Sequence, residues 1–134
     1  MKHQHQYGGE IFVKDSTIEH AIEWSETFIT DLSTVYENEQ EQERVKIYRG
    51  RYQDLDVGIT LVQGKGSDPW LTVRFSGPAA PHLPWTTEVE LARKAFAYLH
   101  HEVRCEPGSL ATNPYSDEFW SIDATGEQLV VWDA

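Results

Sequence analysis

A single cysteine, Cys105, in 134 residues rules out an internal disulfide and agrees with a reducing compartment. Long apolar runs are missing as well. Nothing approaches the ~18 residues of a spanning helix, and the polar start Met1-Lys-His-Gln-His-Gln6 has no apolar centre of a signal peptide. The chain is therefore expected to be soluble, unexported and cytoplasmic. Cations are scarce: 11 Lys and Arg stand against 22 Asp and Glu, a formal charge of −11. That balance disfavours phosphate backbones and anionic lipid, since like charges would have to meet. Neither nucleic acid nor membrane is an expected partner. Internal repeats are also absent, and the short Glu/Gln run at 37–43 is the nearest thing to a biased tract.

What is present suits one α+β domain over residues 1–134, with 1–6 as a flexible lead-in. Tyr7 to Val13 reads as a short strand. Ser16 with Glu19 three residues on forms a capping box that opens a first helix, expected to run to about Tyr36 with Ile18, Ala21, Ile22, Ser25, Phe28, Ile29, Leu32 and Tyr36 on its apolar face. Three strands follow, at Arg44–Arg49, Leu55–Val62 and Trp70–Phe75, the last two with apolar alternation, joined by turn-rich segments that favour an antiparallel meander. The proline-rich stretch Gly77–Pro84 is expected to be a surface crossover. A second helix starts near Thr87, buries Ala92, Ala95, Phe96, Leu99 and Val103, and is expected to end at Pro107-Gly108. Phe119–Asp123 and Gln128–Trp132 form a closing hairpin. The expected order is β-α-β-β-β-α-β-β, a mostly antiparallel sheet of about five or six strands with two helices packed on it.

The charge is unevenly placed. Between Glu10 and Glu43 ten carboxylates face one Lys. At helical spacing Glu19, Glu23, Glu26 and Glu37 share one ridge, where like charges repel by about 0.2–0.5 kcal/mol per pair. Such a ridge is a surface for a basic partner, a solvated face that aids solubility, or a face neutralised internally by Arg44, Lys46, Arg49 and Arg51, the one dense basic segment. From Asn113 to Ala134 there are five acids and no Lys or Arg, so Asp117 and Glu118 with Tyr115, Phe119 and Trp120 make a second acidic, aromatic surface. Charges that steer encounter and rings that hold the complex are what an inhibitor of a basic protein needs.

Other chemistry is poorly supplied. His101 and Cys105 stand four apart and His100 is adjacent, but zinc sites take three or four protein ligands. No metal and no cofactor is expected. Cys105 beside Arg104 lacks a catalytic turn and reads as a small buried residue. Gly64-Lys-Gly66-Ser67 has neither P-loop spacing nor a following helix and reads as a hairpin loop.

With its acidic one-domain α+β build and a C-terminal half running Pro84-Trp85, a helix, Arg104-Cys-Glu-Pro-Gly108, Phe119-Trp-Ser-Ile-Asp123 and Val130-Val-Trp132, the chain resembles the small acidic immunity proteins of bacterial polymorphic toxins. The resemblance implies a non-enzymatic protein that neutralises a cognate basic toxin, such as a nuclease or deaminase, by occluding its active site. Glu19, Glu23, Glu26 and Asp31 are the expected steering charges, Trp24 and Trp120 the expected anchors, with Asp117 and Glu118 beside the latter. The alternative is a small-ligand-binding or catalytic domain whose pocket lies between the sheet and the proline-rich crossover, lined by Trp70, Trp85, His82 and Tyr98.

Overall fold

The computed structural model describes residues 7–113 and 117–132, with Tyr7 as backbone only; the expected lead-in 1–6 and Tyr115 lie outside the described residues. Eight strands, β1 (Tyr7–Lys14), β2 (Thr30–Glu39), β3 (Glu43–Tyr52), β4 (Leu55–Gly64), β5 (Trp70–Ser76), β6 (Val103–Cys105), β7 (Glu118–Asp123) and β8 (Gly126–Val131), form one sheet. Its order is β2-β3-β4-β5-β1-β6-β7-β8, antiparallel throughout. Two helices, α1 (Ile18–Ser25) and α2 (Glu88–Leu99), complete an α+β architecture.

Alternation along the central strands creates the core. Val57, Ile59 and Leu61 of β4, Leu71, Val73 and Phe75 of β5, and Ile11 and Val13 of β1 are buried. Their registers, such as Ile59 opposite Phe75 and Ile11 opposite Val73, put them on one face, because partners across an antiparallel pair point the same way. Both helices cover that face, α1 through Ile18, Ala21, Ile22 and Trp24 and α2 through Leu91, Ala92, Ala95 and Leu99.

The first helix is much shorter than its apolar spacing suggested. After Ser25 the chain turns, Asp31 adopts φ 58°, and residues 30–39 form β2 instead of further helical turns. The run Thr27-Phe-Ile-Thr30 and then Thr34-Val-Tyr36 is rich in β-branched and aromatic residues, which fit a pleated surface better than a helix. Ile29 seals the turn by packing over Gly50 of β3, where an added Cβ would lie 2.7 Å from Ile29 Cγ2 and 2.8 Å from Leu32 Cδ2. The cap also differs: Thr17 Oγ1 accepts from the His20 N–H at 3.1 Å, whereas the Ser16 hydroxyl is buried without a hydrogen-bond partner among the described residues.

The start of α2 agrees with its capping signal. Thr87 Oγ1 accepts from the Glu90 N–H at 3.1 Å, and the Glu90 carboxylate accepts from the Thr86 N–H at 2.7 Å. Its end does not: His100 caps it in the left-handed region at φ 60°. Val103 and Cys105 then leave the helix for β6, a three-residue strand inserted between β1 and β7. Counting β2 and β6, the sheet has eight strands where five or six were expected. The crossover at 77–84 is likewise no mere surface loop, since its 3₁₀ turn at Ala80–His82 helps bury Ala79, Ala80 and Leu83.

Candidate interaction surfaces

Where α1 and α2 lie side by side, a groove of about 540 Å³ opens, lined by Trp24, Phe28, Pro84, Lys94, Ala97 and Tyr98. Its rim on the α1 side is acidic. Tyr98 Oη donates to Glu23 Oε1 at 3.4 Å, and partial burial, together with Glu23 and Glu26 nearby, pushes the phenol above its usual range. Neither Glu23 nor Glu26 has a cation within ion-pairing distance among the described residues; nor does Asp31, exposed at the start of β2. Lys94 stands on the opposite side one helical turn from Glu90, whose carboxyl is held low chiefly by its hydrogen bond from the Thr86 N–H.

The expected acidic ridge is thus only partly assembled. Glu19 is taken by Arg44, Oε2 to Nη2 at 2.6 Å, and that hydrogen bond lowers the carboxyl's pKa. This is the internal neutralisation that the basic segment made possible. Glu37 sits on β2, close enough to Arg44 and Lys46 to raise both pKa values as a lesser influence. Trp24 is not a surface anchor: it is 4% exposed and packs edge-on against Phe28 and Phe75. The reason is geometric, since a helix ending at Ser25 turns this ring onto the sheet.

At the other end, Asp117 is exposed, but Glu118 ties down a loop. It accepts from the Thr112 N–H and hydroxyl and from the Asn113 N–H, bonds that hold its carboxyl below the usual range. Trp120 is half-buried against the core and donates Nε1–H to Glu127 at 2.9 Å. Glu127 in turn receives a forked pair from Arg93 on α2. Of the two expected acidic surfaces, Glu23, Glu26, Asp31 and Asp117 are exposed carboxylates with no ion-pair partner among the described residues, Glu23 accepting from Tyr98.

Nothing resembling a catalytic constellation gathers around Cys105. The thiol is buried, and burial, with Glu88 a lesser influence, pushes its pKa up to about 12. It is therefore protonated and inert at neutral pH. Among the described residues no three His, Cys, Asp or Glu side chains are placed to hold a metal ion. A cavity of about 340 Å³ opens between β1 and the proline-rich crossover, lined by Gly8, Gly9, Ala80, Pro81 and Trp85, but the four residues of the expected ligand pocket do not meet there. Trp85 packs on Phe28 and Phe75 on the covered side of the sheet, His82 is exposed, Tyr98 lines the interhelical groove, and Trp70 lies on the opposite face.

That opposite face holds a cluster which the alternation of β5 and β7 marks but which the sequence reading did not assemble. Phe12, Trp70, Phe119 and Trp132 pack together, with Trp70 and Trp132 ring centroids 4.6 Å apart and Phe12 and Trp132 5.4 Å apart. The Arg104 guanidinium lies 4.9 Å from the Trp70 ring centroid and 4.8 Å from that of Trp132. Its Nε donates to Glu102 Oε2 at 2.9 Å, and Ser121 Oγ donates to the same oxygen at 2.7 Å. Comparison with protein-family models, curated proteins and solved structures returned no match. No helix among the described residues is long and apolar enough to cross a membrane.

Proposed function

We propose that this chain is a protein-binding inhibitor of the immunity type, which neutralises a basic toxin by covering its active site, in the cytoplasm and without turnover of its own. One observation carries this reading: among the described residues seven of ten Lys and Arg are paired with carboxylates, Lys46, Arg49 and Lys94 being the others, while several carboxylates are left over. Lys14, Arg44, Arg51, Lys65, Arg74, Arg93 and Arg104 each have a carboxylate at 2.6–3.6 Å. Among the described residues Glu23, Glu26 and Asp31 have no ion-pair partner, and Glu23 and Glu26 lie beside Tyr98 of the interhelical groove. A charged rim around apolar and aromatic ground supports steering followed by close contact. A toxin acting on nucleic acid suits it best, because its substrate groove must be basic and carboxylates can stand in for phosphates.

The test is capture from the native host's lysate with tagged wild type beside a Glu23→Lys/Glu26→Lys/Asp31→Lys variant. The expected result is one basic protein retained at low salt by wild type, released as salt rises, and lost by the variant while its circular dichroism stays native. Equal retention by both would remove this surface from the mechanism.

A further inference from the structure

Both helices cover one face of the sheet, and no described element covers the other. An antiparallel sheet that meets water on one side normally carries polar residues there. Here that side carries Phe12, Trp70, Phe119 and Trp132 at one end. At the other end β3 and β4 contribute Val45, Ile47 and Val62, paired by register as Val45 with Val62 and Ile47 with Thr60. These side chains are only half-buried. The charges of this face largely cancel in place: Arg74 bonds Glu10 at 2.9 Å, Arg51 bonds Asp56 at 2.8 Å, and Arg104 bonds Glu102 at 2.9 Å. Arg49 and Glu43 on β3 and Asp123 on β7 are the exceptions among the described residues.

We infer that this open face is the interface of a symmetric dimer, with two copies of the chain packed sheet on sheet. Charge decides the occupant. Two chains of −11 each repel, and the groove-edge carboxylates Glu23 and Glu26 are on the helical side. The open faces can meet with most of their charges already paired, with a helical layer of roughly 10 Å, about one screening length, holding those carboxylates apart. Size agrees. Eight strands spaced about 4.8 Å apart and roughly 20 Å long present on the order of 800 Å² per copy, the amount a standard stable interface buries on each partner. A face with apolar ground at both ends and ion pairs between can meet its own copy about a two-fold axis, and facing sheets pack about 10 Å apart. The proposal leaves the acidic groove free on the outside of the dimer and does not depend on the inhibitor reading.

Sedimentation equilibrium on the wild-type chain decides it, alongside an Ile47→Lys/Phe119→Lys variant. The expected wild-type mass is twice 15.4 kDa, unchanged or favoured as salt rises. The variant is expected at the single-chain mass, with association weakened at least about tenfold by desolvation of the lysines. Because those lysines reduce the net negative charge, general charge repulsion cannot explain the loss. Should the variant fail to fold, Val45→Thr/Ile47→Thr replaces it, with weakened association expected. A wild-type chain that stays at the single-chain mass up to about 100 μM, or a folded variant that still dimerises, would overturn the inference.

Discussion

The two faces of the sheet are made from the same strands, residue by residue in alternation, yet they differ in kind. On the covered face Ile11, Val13, Ile59, Leu61, Leu71, Val73 and Phe75 have essentially no exposure, and charges are confined to the margins and the helices. On the open face rings and paired ions share a half-exposed surface. Period-two geometry alone allows one strand to contribute to both. The difference teaches that one set of strands can build a sealed core on one side and a half-exposed surface on the other. The covered face holds the fold together, and the two proposed readings assign binding to the outer surfaces.

The largest test applies one substitution to each face. Phe75→Ala removes a fully buried ring that also supports Trp24 and Trp85, and is expected to cost about 3–5 kcal/mol in urea denaturation. Phe119→Ala removes a half-exposed ring and is expected to cost about 1–2 kcal/mol, read at a concentration low enough to exclude association. Equal losses would mean that the open face is as much core as the covered one. Next comes the junction that turned the expected long helix into a strand. Gly50→Val would drive its Cβ and methyls into Ile29, Leu32 and the Thr30 carbonyl, at an expected cost of about 1–3 kcal/mol. The same change at Gly66, which has nothing within 4 Å of an added Cβ, is expected to be far milder.

That junction is also where the sequence was least legible. Strands β3, β4, β5 and the final hairpin were readable because their alternation or turn chemistry had no competing period. The start of α2 was readable because Thr87 and Glu90 sit at capping distance. Residues 27–36 satisfied a helical apolar spacing and also carried β-forming side chains, and only pairing with β3 settles the competition in favour of strand. β6 was hidden for a related reason. Its three residues continued α2's stripe through Val103, and the left-handed His100 that separates them leaves no mark in a His-His pair. Of the candidate interaction residues, Glu23, Glu26, Asp31 and Asp117 are exposed, Asp31 from a strand and not from the expected helix. Trp24 is buried and Glu19 and Glu118 are bonded internally, because burial and pairing depend on elements brought in from elsewhere.

A half-buried ion pair offers a finer contrast between the faces. Glu102 and Arg104 side chains are 19% and 18% exposed, so Glu102→Gln leaves the guanidinium between two indoles with weaker compensation and is expected to cost about 1–3 kcal/mol in denaturant melts. On the helical side, Glu23→Lys with Glu26→Lys is expected to change stability by less than about 0.5 kcal/mol while abolishing capture of a basic partner. If both variants moved stability and binding together, the separation of roles between the faces would fail.

A pH-dependent effect is expected in acid. Arg44 lowers the pKa of Glu19, and Arg93 lowers that of Glu127, below the ordinary 4.5. A carboxyl with a depressed folded pKa binds its proton more readily in the unfolded chain. The stability it contributes is therefore fully present above 4.5 and is lost as pH falls through the folded value. The Glu19 side chain is 61% exposed and that of Glu127 32%, so solvent screening limits each pair to at most about 1 kcal/mol, with Glu127 the larger. Glu127 also accepts from Trp120, which links α2 to β7 and β8 through one carboxylate. Urea melts of wild type and Glu127→Gln should therefore differ at pH 7 and converge once the medium is more acidic than the folded carboxyl. A gap that persisted there would mean that the residue acts through packing across β8 and not through its charge.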